Sequence, residues 1–181
     1  MHHEQEARLA RGSFPNAGGN PASLRRTSLP IVPHDHVFVT VEGGRAEQEE
    51  LAVATLADGR YRLEVPPAMT VGLAVGDVFE IDPATSRPIV VERSGNLTVW
   101  LYLAESTEAV RDLAAASQEL AGTAEGAALA NRVFIFTIPI AANFPVIERL
   151  FNRFVDQHPG SEWMFANVFA EDGVTPLGWW T

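Results

Sequence analysis

The sequence predicts an α+β protein in which a small unit of strands precedes a unit that mixes strands and helices. Short strand-like runs separated by turn residues fill residues 35–94, whereas strand-like and helical patterns alternate over residues 95–181. Residues 1–34 are rich in Gly, Pro, Ser, Asn and Arg and contain one aromatic residue, Phe14, which is typical of a disordered tail. We therefore divide the chain into a tail and two structured units.

The first unit contains five strand-like runs joined by tight turns. Asp58-Gly59 lies between two runs of alternating apolar residues, and this dipeptide is a strong hairpin signal. The segment Gly72–Asp77 is typical of a turn that leads into a strand, where glycine supplies backbone geometry. Five short strands of this kind predict a compact, partly open β-barrel-like unit. The runs are HVFVTVE, LAVATL, YRLEV, DVFEID and PIVVER.

The second unit is predicted to follow the order strand, helix, strand, strand, helix, strand, which is the βαββαβ order of a ferredoxin-like unit. Ser106 or Thr107 can cap the first helix, and Asn143 can cap the second. His158 is expected to act as a C-cap at the end of the second helix. The predicted strands are Leu97–Leu103, about 124–130, Val133–Ile138 and Trp163–Phe169, and the first helix is predicted to run to Leu120.

Both faces of the sheet predicted for the second unit are apolar. In the first strand, for example, Thr98, Trp100 and Tyr102 lie on one face, and leucines and a valine lie on the other. Two helices cover only one face, so the second face is expected to meet the β unit, a second copy of the chain or a foreign partner. The paired C-terminal indoles either anchor an interaction or hold the terminus on the core. The candidate interaction surface comprises Trp100, Tyr102, Trp163, Trp179 and Trp180.

The composition excludes several chemistries. The chain has no cysteine, which rules out disulfides, thiol nucleophiles and Fe–S clusters. All 13 basic residues are arginine, and without lysine the chain can form neither a Schiff base nor a Walker phosphate-binding loop. No apolar run is long enough to span a membrane, and the first residues lack the apolar region of a secretory signal. We therefore expect a cytoplasmic protein that does not associate with membranes.

Histidine is too scarce to predict a catalytic or metal site. His34 and His36 flank Asp35, but a metal needs three or four converging ligands, and this segment offers two or three. His158 is the candidate base for a Ser-His-acid triad, but the G-x-S-x-G motif is absent. We therefore expect no catalytic residue, no metal site and no cofactor.

The charge is distributed unevenly along the chain. Residues 1–34 carry four arginines against two glutamates, whereas the remaining residues carry nine arginines against 21 acidic residues, a net charge of −12. A body this acidic repels a phosphate backbone, so nucleic-acid binding is not expected, and it attracts basic proteins. The acidic run that contains Glu47, Glu49 and Glu50 is expected to be a solvated loop.

Two motifs resemble a bacterial family known as domain of unknown function 4265. The first is GLAVGDV at residues 72–78, and the second is VERSGNLTV at residues 91–99. The later Thr137-Ile138-Pro139 and Leu177-Gly178-Trp179 are also similar to the family, so the resemblance covers roughly residues 36–180. It implies a ferredoxin-like unit after the second motif, and it implies no particular activity.

The polar segment between the two units is the candidate ligand site. Arg93, Ser94 and Asn96 lie in this segment, and an arginine beside such groups can hold a carboxylate or phosphate with two hydrogen bonds. Asp77, in the first motif, is expected to lie near them. The alternative is a structural turn in which Arg93 pairs with Asp77 or Glu92.

Two functions follow from these patterns. The first is a non-enzymatic protein that binds another protein through an acidic surface, as immunity proteins and antitoxins do, with a basic protein as the partner. Association with itself as a homodimer is the second kind of partnership that the sequence allows. The other function is a small-ligand or regulatory module with its site at the junction of the two units, at Asp77, Arg93, Ser94 and Asn96.

Overall fold

The described residues form a mixed α+β protein with two antiparallel sheets and two α-helices, which confirms the predicted class. They belong to one compact unit, so the division of the chain at residue 94 stays a prediction. The predicted tail and the predicted cap Ser106 lie outside the described residues. The computed structural model describes residues 35–41, 47–105, 107–128, 132–170 and 172–181.

The first sheet is an antiparallel meander whose strands lie side by side in chain order. Its buried face carries apolar side chains at alternate positions, because successive residues of a strand point to opposite faces. The predicted Asp58-Gly59 hairpin is confirmed, since it joins the second strand to the third. In the described chain the two edge strands do not pair with each other, so the sheet does not close. The strands are β1 (Asp35–Val41), β2 (Glu47–Thr55), β3 (Tyr61–Leu63), β4 (Val78–Ile81) and β5 (Pro88–Glu92).

The second sheet has the order β7-β8-β6-β9, with every neighbouring pair antiparallel. Its elements follow the predicted order strand, helix, strand, strand, helix, strand. No helix in the described part of the chain is long and apolar enough to cross a bilayer. The elements are β6 (Asn96–Tyr102), α1 (Val110–Gln118), β7 (Thr123–Ala128), β8 (Val133–Pro139), α2 (Phe144–Gln157) and β9 (Glu162–Phe165).

The two faces of the second sheet are covered by different parts of the chain. One face packs against the two helices, and there Phe136 meets Phe151 edge to face at 5.1 Å between ring centroids. On the other face, Trp100 packs against Ala68 and Val71, which lie in the loop between β3 and β4. The Trp100 indole Nε1 also donates a hydrogen bond of 2.9 Å to the Pro67 carbonyl. Of the three coverings that the sequence allows, the β unit of the same chain therefore covers Trp100.

The last strand is shorter than predicted because a side chain replaces the backbone as the partner of β6. Instead of Trp163–Phe169, β9 ends at Phe165. Beyond it, the buried Asn167 side chain accepts a hydrogen bond from the Thr98 amide at 3.0 Å and donates one to the Asn96 carbonyl at 2.9 Å. The Asn167 side chain thus satisfies main-chain hydrogen-bonding groups at the start of β6, where the chain after β9 no longer continues as a strand.

The helix starts also differ from the predictions. The first helix begins at Val110. Before it, the Thr107 hydroxyl accepts a hydrogen bond from the Ala109 amide and stabilises a turn that precedes the helix. Asn143 stands at the predicted cap position of α2, but its side chain makes no capping hydrogen bond. His158 is confirmed as the C-cap of α2, and its Nδ1 lies 2.8 Å from the Phe154 carbonyl oxygen.

Candidate functional site

Of the four residues predicted at the junction, Arg93 and Ser94 bind the carboxylate of Asp77, which is fully buried, and Asn96 lies beside Ser94, whose hydroxyl accepts the Asn96 amide at 3.2 Å. The Asp77 Oδ1 accepts hydrogen bonds from the Ser94 amide at 2.8 Å and the Ser94 hydroxyl at 2.9 Å. Its Oδ2 accepts from Arg93 Nη1 at 3.0 Å and from the Ala74 amide at 3.1 Å. We call Asp77, Arg93, Ser94 and Asn96 the junction cluster.

The junction cluster connects the turn before β4 to the segment before β6. Arg93 Nη1 also donates to the Gly72 carbonyl at 2.6 Å, and Asn96 Nδ2 donates to the Val75 carbonyl at 2.9 Å. The Arg93 guanidinium lies over the Trp179 ring, 5.3 Å from its centroid. Both carboxylate oxygens are therefore already occupied, and this geometry matches the structural turn that the sequence left as the alternative to a ligand site.

Gly76 is required by this turn for two reasons. Its φ is +86°, and a Cβ on it would lie 2.9 Å from the Ser94 Cβ. We expect Gly76→Ala to lower the free energy of unfolding by about 1 kcal/mol more than Gly72→Ala, because Gly72 has the same φ but open space around it. Equal losses in urea unfolding of the two variants would show that the Ser94 contact is unimportant.

Glu49 is a buried carboxylate that we did not expect, since its acidic run was predicted to be a solvated loop. The run lies in β2 instead, and Glu49 is only 8% exposed. Its carboxylate accepts hydrogen bonds from three successive amides, Ala68 at 2.6 Å, Met69 at 3.2 Å and Thr70 at 2.6 Å. The sequence did contain a signal for this burial. Side chains two residues apart in a strand lie on the same face, which puts Glu49 on the face of the buried Leu51.

An apolar groove of about 700 Å³ lies between β9, α2 and the C-terminal segment. Apolar grooves of this size with a few polar groups are typical binding sites. The sequence did not predict it, because its walls come from segments that meet only in the fold. We call it the aromatic groove, and it is lined by Val71, Phe144, Glu148, Asn152, Trp163, Met164, Phe165, Ala166, Val168, Phe169, Ala170, Gly173, Pro176 and Trp180.

Four rings form a continuous series of close contacts along the aromatic groove. Trp163 meets Phe165 at 5.0 Å between ring centroids, and Phe165 meets Phe144 at 5.3 Å. Phe144 in turn meets Trp180 at 5.4 Å. The Trp163 indole Nε1 donates to the Asn152 side-chain oxygen at 2.9 Å. These edge-to-face contacts hold the walls of the groove in place.

The charge of the aromatic groove is negative. Glu148 lies on its wall and is exposed, and no basic residue is among the lining residues. Asp172 precedes the lining residue Gly173, and hydrogen bonds from the Thr175 hydroxyl and from the Thr175 and Val174 amides lower the pKa of its carboxyl. Because Glu148 is acidic and no basic residue lines the groove, the groove favours a cationic ligand.

The five aromatic residues predicted as an interaction surface do not share one surface. Trp100 is only 5% exposed beneath the β3–β4 loop, so it offers no surface to a partner. Tyr102 is 37% exposed, and partial burial raises the pKa of its hydroxyl. Trp163 and Trp180 line the aromatic groove, whereas Trp179 contacts Arg93 and donates to the Asn167 carbonyl at 2.7 Å. Both C-terminal indoles pack against the core, as the second of the two sequence alternatives requires.

No group of three or more His, Asp or Glu residues could hold a metal ion within the described residues. His36 Nδ1 lies 3.3 Å from a Glu50 carboxylate oxygen on the surface of the first sheet. His34, the other histidine of that segment, lies outside the described residues.

Comparison with known proteins gives one family and one similar structure. The family model named Domain of unknown function (DUF4265) matches residues 49–163. A crystal structure of a hypothetical protein from Neisseria gonorrhoeae is similar, with a TM-score of 0.61 and 17% identity over 75% of this chain and 95% of that chain. At this identity the similarity shows the fold alone. No curated protein matches the chain.

Proposed function

The chain belongs to the DUF4265 family, whose function is unknown, and we propose from its geometry that it is a non-enzymatic protein that binds a basic protein partner through an acidic surface. The observation that carries the proposal is the aromatic groove, whose lining combines a series of aromatic rings with a carboxylate and contains no cation. Buried aromatic side chains are common centres of protein interfaces. Acidic groups around such a centre select a basic partner and accelerate its approach.

The charge of the whole body supports the same partner. Residues 35–181 carry a net charge of −12, and many carboxylates in the described part are exposed. Several of them pair with arginine, as Asp58 and Glu92 both do with Arg60, but Glu148 has no ion pair within the described residues. A second copy of the chain would bring two acidic surfaces together, so a homodimer is less favoured than a basic partner.

The small-ligand alternative has less support. Arg93 borders a cleft of about 340 Å³ together with residues of both units, as a ligand site at the junction would require. However, the Asp77 carboxylate already accepts hydrogen bonds from Arg93 and from both the amide and the hydroxyl of Ser94. A ligand would therefore have to displace buried hydrogen bonds before it gained its own.

The proposal also includes the finer description of the two units. The strand order β7-β8-β6-β9 supports a ferredoxin-like βαββαβ unit, because the two central strands are the first and third of the unit. A hydrogen bond of 2.9 Å from the Thr40 amide to the Ser86 carbonyl brings β1 near the β4–β5 turn. That contact supports a partly open barrel for the first unit.

Affinity capture at low and high salt tests the proposed function. We expect wild-type protein to retain a stoichiometric basic protein from a lysate at low salt and to lose it at high salt, because salt screens exposed charges. Glu148→Arg is expected to weaken this complex about tenfold, because it places like charges at the contact. Glu119→Arg is the matched control, since Glu119 is exposed at the C-terminal end of α1 and does not line the aromatic groove.

Two results would contradict the proposal. One is that no basic protein is captured at low salt. The other is that a captured basic protein stays bound at high salt, because its binding then does not depend on the acidic surface.

A further inference from the structure

The aromatic groove follows the free edge of a β-sheet. In the second sheet β9 is an edge strand, and among the described strands it pairs with β6 alone. Three successive residues of β9, Trp163, Met164 and Phe165, line the groove together with Ala166, which follows the strand. Successive side chains of a strand point to opposite faces, so all three strand residues can border one groove only along the edge of the strand.

Two residues of this edge, Trp163 and Phe165, have main-chain groups without a partner among the described residues, whereas the Ala166 carbonyl accepts a hydrogen bond from the Gly72 amide at 2.7 Å. The Ala166 amide donates a hydrogen bond to the Thr98 carbonyl at 2.8 Å. This bond shows which residues of the β6–β9 pair direct their main-chain groups toward β6. Hydrogen-bonding direction alternates along an antiparallel pair, so the N–H and C=O groups of Trp163 and Phe165 point away from β6. These groups make no hydrogen bond to any described residue. An edge of this kind can accept a further strand.

We infer that an extended, basic segment of a partner protein pairs with β9 as an additional strand, inserts an apolar side chain into the aromatic groove and places an arginine or lysine beside Glu148. This inference rests on the proposed function, whose partner and surface it specifies. Strand addition combines main-chain hydrogen bonds, which supply affinity, with pockets for alternate side chains, which supply specificity. The structure offers both, namely the free edge and the aromatic groove.

Charge decides which strand binds. In the described part of the chain, Glu148 lies on the wall of the groove, and Glu162 and Asp172 are next in sequence to the lining residues Trp163 and Gly173, whereas no arginine is among the lining residues. Pairing with β9 of a second copy would bring two sets of carboxylates into the same interface. A basic peptide brings opposite charge instead, so the occupant is a segment of a different protein.

The first test uses a phage-displayed library of random linear peptides selected on the full-length chain. The enriched peptides are expected to contain an apolar residue with arginine or lysine nearby. Methylating each main-chain nitrogen of a selected peptide in turn is then expected to weaken binding at every second residue only, by about tenfold or more, because alternate N–H groups of an added strand face β9. Peptides without basic residues, or an N-methyl scan without this alternation, would overturn the inference.

A charge exchange provides the second test and does not depend on the main chain. Glu148→Arg is expected to weaken the selected peptide about tenfold and to strengthen a version in which its basic residue is glutamate. Glu119→Arg should change neither affinity. Unchanged binding to Glu148→Arg would show that the peptide does not lie beside this residue.

Competition separates this inference from the proposed function. If a captured basic partner is released by the selected peptide, both stand. If the partner binds in a salt-sensitive way but the peptide does not displace it, the acidic-surface function stands and strand addition at β9 is wrong. If no basic partner is captured although the peptide binds with the expected N-methyl pattern, the edge is a peptide site and the proposed partner is wrong.

Discussion

Replacing Asp77 with asparagine is expected to lower the free energy of unfolding by about 3–5 kcal/mol, the range for removing one charge of a buried ion pair. The carboxylate is fully buried and accepts four hydrogen bonds, from Ala74, Arg93 and twice from Ser94. The side-chain amide of asparagine has one oxygen that accepts and one NH₂ group that donates. Its NH₂ group would therefore face donors that the second carboxylate oxygen of Asp77 now accepts. It would also leave the Arg93 guanidinium without its counter-charge. Urea unfolding at equilibrium measures the loss.

Asp82→Asn is the matched control for Asp77→Asn. The Asp82 carboxylate also accepts hydrogen bonds, one from the Ala84 amide and one from the Thr85 hydroxyl. These hydrogen bonds lower the pKa of its carboxyl. Its carboxylate is solvent-exposed, so water can replace those partners, and we expect a much smaller loss of stability. Similar losses for the two variants would show that burial of the junction cluster is not what makes Asp77 important.

Glu49→Ala is expected to lower the free energy of unfolding by about 3–5 kcal/mol, because three amides lose a charged acceptor and each unsatisfied group costs about 1–3 kcal/mol. The amides of Ala68, Met69 and Thr70 belong to the loop that covers Trp100. Hydrogen exchange at these amides should therefore become faster, and the fluorescence of Trp100 should report a more open loop.

Glu50→Ala provides the control on the same strand. Glu50 points to the opposite face, where its half-exposed side chain pairs with His36. Exposed pairs of this kind contribute little, so we expect a change of about 0.5 kcal/mol or less. If Glu49→Ala unfolds at the same urea concentration as Glu50→Ala, the buried carboxylate does not hold the loop.

Both predictions concern residues that keep distant segments together. Asp77, Arg93 and Ser94 belong to the two motifs that resemble the DUF4265 family, and the structure uses them to join the turn before β4 to the segment before β6. We therefore interpret these motifs as structural. A binding function is better sought at the aromatic groove, because no residue of either motif lines it. Val71, which directly precedes the first motif, does line it.

The sequence predicted the local features of the fold well. The Asp58-Gly59 hairpin, the turn at Gly72–Asp77 and the order of strands and helices after residue 95 all depend on residues that are close along the chain. It also predicted that Asp77 and Arg93 would meet, as one of two alternatives. It was wrong about the length of the last strand and about the acidic run at Glu49.

By itself, the sequence determined the α+β class, the order of the elements and the acidic charge, because periodicity, turn residues and composition act over short distances. Only the tertiary structure decided that Glu49 is buried, that Asn167 replaces a strand and that Trp100 lies under a loop. It alone made the aromatic groove, which joins β9, α2 and the C-terminal segment. These features depend on which distant segments meet, and that choice is made by packing and by the need to satisfy buried polar groups.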